Sequence, residues 1–317
     1  MHSSSKKIRV AVIGVGHLGQ HHARIYSTLK KDVELVGVVD IDPSRAKSIA
    51  GKSHTQWFTD YRDLFDKQLD AVTVAVPTRE HFAIASDFLR NSVNVFIEKP
   101  IAVTLEEADE LIALSERYGV KVQVGHVERF NPAILKLMHI IKNPKFIEVH
   151  RLAPYNPRGT DVSVVLDLMI HDLDIVTFLV GEPIANIDAV GVEVLTPQED
   201  IANVRITFKG GCVANISSSR ISLKEMRKIR IFQPYTYISL DYKAQEGVIY
   251  AKKGDSIERD VLDLEKDEPL KLEIQSFVNS VANNLPPQVS AQQGRDALAV
   301  ALEIEKQILD KKKVLTS

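Results

Sequence analysis

Short apolar runs alternate with amphipathic segments over the first 126 residues of the chain. The runs are nearly continuous in valine and isoleucine, as expected of strands that are covered on both faces of a parallel sheet. The predicted strands are 8–13, 33–39, 71–76, 93–97 and 121–124, with a weaker one at 56–58. The predicted helices between them are 17–30, 43–50, 79–91 and 105–118. This order predicts βαβ units and a doubly wound parallel sheet.

The pattern changes after residue 126, where Asn131-Pro132 opens a predicted helix to about Lys142. Between 184 and 264, polar and apolar residues alternate in short strands separated by Gly or Asn turns, of which 209–212 is the clearest hairpin turn. This alternation predicts an antiparallel sheet. The remaining predicted elements are a strand at 146–151 and two closing helices at 270–283 and 290–310.

The two patterns predict an α/β domain at 1–126 and an α+β domain at 127–317 with a large, open antiparallel sheet. A sheet of this size with few helices cannot cover both of its faces. The uncovered face is either solvated or a subunit interface. We expect a homo-oligomer, a dimer or a tetramer, formed through this sheet.

The composition, 44% hydrophobic and 26% charged in 317 residues, is that of an ordinary globular protein. Forty basic and 42 acidic residues leave a formal charge of −2, without the local basic excess that nucleic-acid binding needs. The apolar stretch 162–180 contains three aspartates and a histidine, which are costly in a membrane. The N-terminus lacks a signal-peptide cleavage site. We expect a cytoplasmic protein with no nucleic-acid or membrane partner, and a packed thiol at the single Cys212.

A glycine fingerprint follows the first predicted strand and opens the first predicted helix. Its first glycine permits a tight turn, the second lets the backbone approach a pyrophosphate, and the third lets helix and strand pack closely. Asp40 ends the second strand about 20 residues later, where a carboxylate binds the ribose hydroxyls and repels a 2′-phosphate. NAD is therefore predicted, and Arg45 keeps NADP open as the less favoured cofactor. The predicted cofactor residues here are Gly14, Gly16, His17, Leu18, Gly19, Asp40 and Arg45.

His17, His21 and His22 have spacings that a metal site could use, but no nearby carboxylate or Cys completes a ligand set. No metal site is predicted. We expect these imidazoles to be exposed at the start of the helix.

Two further segments follow strands at the carboxyl edge of the predicted sheet, where ligands bind. Pro77 and Thr78 follow the fourth strand and are expected to line the nicotinamide side of the cleft. Glu98-Lys99-Pro100 follows the fifth, and Pro100 restricts Lys99 to an extended backbone. A lysine in a partly dry cleft has a lowered pKa and can share a proton with a reacting hydroxyl. The alternative is a surface lysine that bonds the last carbonyls of the sheet.

A polar stripe interrupts the apolar stretch 164–180. In a regular helix Asp167, His171 and Asp174 share one face, and burying them is costly unless they serve a ligand or a hydrogen-bond network. We predict that His171 accepts the proton when an alcohol loses a hydride. Asp167 then orients the imidazole or binds a neighbouring hydroxyl. The alternative is a structural Asp–His pair.

Together these motifs resemble the glucose–fructose oxidoreductase, inositol dehydrogenase and MocA (Gfo/Idh/MocA) family over the whole chain. The resemblance implies a Rossmann domain followed by an α/β domain whose open sheet serves oligomerisation. It also implies catalytic roles for Lys99, Asp167 and His171, and adds His81, Glu98 and Lys99 to the cofactor site. One departure is clear, because members often have glycines before the Asp and between Asp and His. Here those positions are Ser163-Val164-Val165-Leu166 and Met169-Ile170.

Residues 125–132 and 151–161 resemble a subgroup associated with bacterial nucleotide-sugar metabolism. Its best-defined activity is oxidation of UDP-N-acetylglucosamine at C3, which prepares an amino-sugar for lipid A. In that interpretation Arg129, Arg151 and Arg158 hold a diphosphate. Tyr155 offers a flat surface to uracil, and Asp167 and His171 also contact the substrate. Surface ion pairing is the alternative for the arginines.

The sequence thus predicts an NAD-dependent dehydrogenase of a sugar secondary alcohol, with C3 of UDP-N-acetylglucosamine as the first choice. One alternative is a dehydrogenase of a free sugar or inositol. Another is a non-catalytic NAD(P)-binding regulator on the same scaffold. A regulator usually requires decay of the catalytic trio, and Lys99, Asp167 and His171 are all present.

Overall fold

The computed structural model describes residues 6–157 and 162–316. They form two compact units, of which the first contains the chain up to His126 together with Leu270–Arg295. The second contains Val127–Pro269 and the chain from Asp296 onward. The prediction of one continuous domain over 127–317 is therefore wrong, because the segment 270–295 returns to the first unit.

Six parallel strands form the sheet of the first unit, as the apolar runs predicted. Their order in the sheet is β3-β2-β1-β4-β5-β6. The strands are β1 (Ile8–Ile13), β2 (Val33–Val39), β3 (Gln56–Phe58), β4 (Ala71–Val74), β5 (Asn94–Glu98) and β6 (Val122–Gly125). The helices are α1 (Gly19–Thr28), α2 (Pro43–Ser53), α3 (His81–Arg90), α4 (Leu105–Tyr118) and, later in the chain, α7 (Pro269–Ala282).

Helix α4 shows how local sequence sets the ends of these helices. The Thr104 hydroxyl accepts the backbone N–H of Glu107 at 3.2 Å, and the Glu107 carboxylate accepts the N–H of Val103 at 3.0 Å. Gly119 ends the helix with a φ of +64°, a left-handed conformation that glycine adopts without strain. The predicted helix 105–118 is confirmed at both ends.

Helix α7 belongs to the first unit because its apolar face completes that core. Ile274, Phe277 and Val278 are buried in one cluster with Val10 and Phe96. The rings of Phe96 and Phe277 lie 5.7 Å apart, edge to face. The periodicity of the helix shows which face is apolar but not which sheet covers it, so the sequence gives no sign of this return.

Eight strands form the sheet of the second unit, in the order β14-β13-β12-β11-β7-β10-β9-β8. They are β7 (Phe146–Leu152), β8 (Ile184–Val192), β9 (Ile201–Phe208), β10 (Val213–Ser219), β11 (Met226–Gln233), β12 (Thr236–Asp241), β13 (Glu246–Lys253) and β14 (Ser256–Val261). The helices are α5 (Pro132–Ile140), α6 (Ile170–Val180) and α8 (Ala291–Thr316), whose first residues belong to the first unit. The sheet is antiparallel as predicted except between β7 and β10, which run parallel.

Buried and more exposed side chains alternate along the central strands of this second sheet, for example in β7, β9 and β10. One face carries the core, in which Ile147 and Val204 pack in a cluster with Leu137 of α5 and Ile304 of α8. The opposite face, here called the open face, carries polar side chains and a row of aromatic rings. Neighbouring rings in that row lie 4.9 to 5.9 Å apart, and the row consists of Phe146, Phe232, Tyr237 and Tyr250.

Cys212 follows the hairpin turn between β9 and β10 and is 4% exposed. Burial raises the pKa of its thiol to about 11, with a further contribution from Glu182. The predicted packed thiol is confirmed. None of the helices in the described part of the chain is both long and apolar enough to cross a membrane.

Candidate active site

The three glycines of the fingerprint differ in what an added side chain would meet. Gly14 has a φ of +82°, and a Cβ there would lie 2.6 Å from the carbonyl oxygen of Ala75. A Cβ on Gly19 would lie 1.8 Å from the carbonyl oxygen of Gly14, so this glycine permits the close contact between loop and helix. A Cβ on Gly16 would meet no atom within 4 Å. The backbone at Gly16 is therefore open to an approaching group.

Asp40 ties the end of β2 to this loop. Its carboxylate accepts the N–H of Val15 at 3.1 Å and that of Asp42 at 3.0 Å, and only 6% of the residue is exposed. Nη1 of Arg45 lies 3.2 Å from the same carboxylate, with the arginine side chain half exposed. The acid that a ribose would meet is thus fixed against the loop.

These features fit a dinucleotide. Helix α1 begins at Gly19 rather than at His17, and no side chain within the described residues caps its N-terminus at Leu18. The N-terminus of α1, which is the positive end of the helix dipole, therefore follows Gly16 by three residues, an arrangement that suits a pyrophosphate.

The strand end that carries Lys99 is held by a buried pair. Nε2 of His22, on α1, lies 2.8 Å from Oε1 of Glu98, the last residue of β5. His22 is 0% exposed, so its predicted exposure is wrong. The periodicity of α1 does not reveal a partner 76 positions away. Lys99 itself is half buried.

His81 connects the two loops that the sequence assigned to the cofactor. Its Nδ1 lies 2.8 Å from the carbonyl oxygen of Pro100, and its Nε2 lies 2.9 Å from that of Val76. Burial lowers the pKa of His81, and the two carbonyls partly oppose this effect. His81 is 1% exposed and thus joins the loop of Pro77 and Thr78 to the loop of Lys99 through backbone contacts.

In the second unit the predicted helix 164–180 is not regular. Val165–Met169 forms one π-helical turn, and α6 begins only at Ile170. The polar stripe divides accordingly. The Asp167 side chain is 31% exposed and His171 is partly exposed, whereas Asp172 and Asp174 are buried.

Both buried aspartates have an arginine partner. Arg151 donates to Asp172 through Nε at 2.7 Å and Nη2 at 3.1 Å, and to Glu128 through Nη1 at 3.0 Å. Burial opposes the charge of Arg151, but Asp172 and Glu128 outweigh this effect and raise the pKa of the guanidinium. This is the ion pairing that the sequence left open as an alternative, with the correction that it is interior rather than on the surface.

Arg129 has a similar environment. Its Nε lies 3.3 Å from Asp174, and its guanidinium carbon lies 3.3 Å from the ring centroid of Phe178. Burial lowers the pKa of Arg129, and Asp174 partly restores it. With 3% of the residue exposed, Arg129 is an interior residue and not the surface residue that the alternative assumed.

Asp167 has a partner that the sequence did not reveal. Nη2 of Arg220 lies 3.9 Å from its carboxylate and also donates to the carbonyl oxygen of Val162 at 2.9 Å. Arg220 directly follows β10, and its position at a strand end was the only available signal. Of the other predicted substrate residues, Tyr155 is 49% exposed and Arg158 lies outside the described residues.

Comparisons with known proteins identify the family. A model of the Gfo/Idh/MocA oxidoreductase family, with an NAD-binding Rossmann fold, matches residues 8–126, and one of the Gfo/Idh/MocA C-terminal domain matches 147–233. A UDP-N-acetylglucosamine 3-dehydrogenase from Acidithiobacillus ferrooxidans is 35% identical, over 94% of this chain and 96% of the relative. The chain belongs to the Gfo/Idh/MocA family. It is an NAD-binding oxidoreductase, as predicted.

Relatives within the Gfo/Idh/MocA family differ in their substrates. A myo-inositol 2-dehydrogenase from Thermotoga maritima is 26% identical, over 97% of this chain and 98% of the relative. The solved structure of the Acidithiobacillus ferrooxidans enzyme has a TM-score of 0.91 at 34% identity, covering 96% of this chain and 98% of that one. A levoglucosan dehydrogenase solved with NADH and levoglucosan has a TM-score of 0.88 at 16% identity, which shows the fold alone.

Proposed function

We propose that this oxidoreductase oxidises the C3 hydroxyl of UDP-N-acetylglucosamine to a ketone. The observation that carries the proposal is the 35% identity with the Acidithiobacillus ferrooxidans enzyme over 94% of the chain. The glycines that members often have around Asp167 are replaced in this chain, which argues against the usual polyol pocket.

The first unit supplies the cofactor half of the reaction. Gly14, Gly16 and Gly19 shape a loop that is open at its centre, and Asp40 is fixed beside it to accept the ribose hydroxyls. NAD, when bound, supplies the acceptor for the hydride. The carboxylate favours a free 2′-hydroxyl, which agrees with NAD rather than NADP.

Lys99, Asp167 and His171 are proposed to act on the alcohol. The hydroxyl proton passes to the Lys99 amine or the His171 imidazole while the C3–H electron pair leaves as hydride, and the C–O bond becomes C=O. Asp167 orients the imidazole or binds a neighbouring hydroxyl. In support, Asp172 and Asp174 are buried in ion pairs, so Asp167 and His171 are the accessible polar residues of the stripe.

Substrate contacts are proposed for Tyr155 and Arg158, with Tyr155 stacking on uracil and Arg158 binding the diphosphate. The guanidinium groups of Arg129 and Arg151 already pair with buried carboxylates. We therefore propose that these two arginines contribute to substrate binding by holding the walls of the site rather than by direct contact.

The substrate assignment is tested by mixing the purified protein with NAD and UDP-N-acetylglucosamine and following NADH absorbance. The proposal predicts turnover with the nucleotide sugar and none with N-acetylglucosamine or myo-inositol. Turnover of myo-inositol or a free sugar alone would replace the proposal with the free-polyol alternative. No turnover and no thermal stabilisation by the nucleotide sugar would refute it.

Substitution of the proposed catalytic residues separates an enzyme from a regulator. Lys99→Ala and His171→Ala should each lower kcat by about a hundredfold or more while NADH affinity is kept, because general acid–base catalysis is lost. The matched controls are the exposed residues Lys47→Ala and His139→Ala, which should retain activity. A regulator would bind NADH equally well in all four variants without any turnover to lose.

Three further assignments belong to the same proposal. The protein is proposed to work in the cytoplasm, to form a homo-oligomer through the open face, and to supply a lipid A amino-sugar precursor. The chemical support for the last is that a C3 ketone is the group that an aminotransferase needs to install an amine at that carbon.

A further inference from the structure

A buried histidine and a buried glutamate join the first helix to the strand end that carries Lys99. His22 is 0% exposed and Glu98 is 7% exposed, with 2.8 Å between Nε2 and Oε1. Because a carboxylate only accepts hydrogen bonds, Nε2 is the protonated nitrogen. The Nδ1 of His22 has no hydrogen-bond partner among the described residues. The hydrogen bond of this imidazole is therefore directed to Glu98.

The Glu98 carboxylate has little freedom to leave this position. The His22 ring is itself held edge to face against Phe96, with 5.1 Å between ring centroids. On the other side, Gly125 pairs with Glu98 across β5 and β6. A Cβ on Gly125 would lie 2.8 Å from Oε2, so the carboxylate occupies the space that a side chain there would need. Without His22 the buried charge would lose a partner, which is strongly unfavourable.

Lys99 is the next residue along the chain. On its far side, the carbonyl oxygen of Pro100 lies 2.8 Å from Nδ1 of His81 on α3. The chain is thus tied to α1 through the Glu98 side chain before Lys99, and to α3 through the Pro100 carbonyl after it. Nothing in the glycine loop or at Asp40 uses the Glu98 carboxylate in the contacts described above.

We propose that His22 is a positioning residue for Lys99 and acts through Glu98. This inference rests on the proposed role of Lys99 in proton transfer. Proton transfer depends on hydrogen-bond geometry, and a displacement of about 1 Å can cost about a hundredfold in rate. Release of Glu98 therefore lowers kcat. NAD binding should change much less, because the glycine loop and Asp40 would still hold the cofactor, although the family resemblance also assigns Glu98 and Lys99 to its site.

The test compares His22→Leu, which removes the donor, with His22→Gln, whose Nε2 can still reach Glu98. His22→Leu should lower kcat at least about tenfold and leave the KM for NAD within about twofold. His22→Gln should recover kcat to within about threefold of the wild-type protein. The matched control is His21→Leu, the same change one residue earlier on a partly exposed position, with kcat unchanged.

Amide hydrogen exchange of the segment 98–102 gives a readout that needs no substrate. The segment should exchange at least about fivefold faster in His22→Leu than in the wild-type protein or in His21→Leu. A folded His22→Leu with wild-type kcat and unchanged exchange would overturn the inference, even if its melting temperature were lower. If wild-type protein oxidises no nucleotide sugar, the proposed function fails while the exchange experiment still decides the role of His22.

Gly125→Ala provides a second route should His22→Leu fail to fold. The new Cβ would lie 2.8 Å from the Glu98 carboxylate and 3.1 Å from the Glu98 Cα, and the change leaves the His22 and Lys99 side chains in place. It should lower kcat at least about tenfold with NADH affinity kept. Wild-type kcat and unchanged exchange in Gly125→Ala, with native-like stability, would contradict the inference.

Discussion

At the residue scale, alanine substitutions of Gly16 and Gly19 should have opposite effects on NADH affinity and stability, although both glycines belong to one motif. Gly16→Ala adds a Cβ in open space, so stability should change by less than about 0.5 kcal/mol. The same Cβ occupies the approach of the pyrophosphate, so NADH affinity should fall at least about tenfold. Gly19→Ala collides with the Gly14 carbonyl and should lower the free energy of unfolding by more than about 2 kcal/mol.

Chemical denaturation and NADH fluorescence titration measure the two effects. Gly51→Ala on α2 is the matched control, because its Cβ would also meet no atom within 4 Å and lies in a helix interior. It should stabilise the protein by up to about 1 kcal/mol and leave NADH affinity unchanged. Unchanged NADH affinity in Gly16→Ala would contradict the cofactor site.

Asp200 is a residue whose charge stabilises a turn. Its carboxylate accepts the N–H groups of Val194, Leu195 and Thr196 at 2.9, 2.6 and 2.9 Å. Burial alone would raise the pKa of Asp200, but these hydrogen bonds outweigh it and lower the pKa to about 2. The stabilisation is therefore fully present above the ordinary value of 3.8 and is lost as pH falls towards 2.

Asp200→Asn should lower the free energy of unfolding at neutral pH by about 1 to 3 kcal/mol. The difference from the wild-type protein should shrink between about pH 4 and pH 2, because the wild-type carboxyl becomes protonated there. Thermal unfolding over this pH range measures the difference in stability between the two proteins. The exposed Asp66→Asn is the control. A constant difference over that range would show that the charge of Asp200 contributes nothing.

The sequence could predict the part of the site whose residues lie close to one another along the chain. The glycines and Asp40 form a local motif, and the structure brings them together within one βαβ unit. His22 and Arg220 were missed because their partners, Glu98 and Asp167, are distant in sequence. Nothing local distinguishes a histidine that faces a buried carboxylate from one that faces solvent.

At the element scale, α6 is fixed to β7 by a buried ion pair. Asp172→Asn weakens the two-donor contact from Arg151 but leaves the pair of Arg151 with Glu128, so the free energy of unfolding should fall by about 1 to 3 kcal/mol. Asp109→Asn is the control, because it breaks an exposed pair with Arg295 and should cost less than about 1 kcal/mol. Urea unfolding measures both variants, and equal small losses would refute a structural role for the buried pair.

Elements with one strong pattern were predicted well, and those that depend on tertiary partners were not. The strands 8–13 and 33–39 and helix 105–118 have the predicted bounds, because continuous apolar runs and caps define them locally. The stretch 164–180 reads as one helix, but a π-helical turn divides it and the two buried aspartates meet arginines. The parallel pairing of β7 with β10 joins segments far apart in sequence, where no local signal exists.

At the scale of the whole molecule, we predict a homo-oligomer that forms through the open face of the second sheet. Light scattering at micromolar concentration should give a dimer or tetramer. Tyr237→Glu places a charge in the aromatic row and should raise the dissociation constant at least about tenfold. Lys47→Glu on the first unit is the control. A monomeric wild-type protein would refute the interface.

The central claim is that the hydride leaves C3 of the nucleotide sugar. The most direct measurement uses UDP-N-acetylglucosamine deuterated at C3, with mass spectrometry of the reduced cofactor. The account predicts that the deuterium appears in NADH, and that substrate deuterated at C4 transfers none. Unlabelled NADH from the C3-deuterated substrate would contradict it.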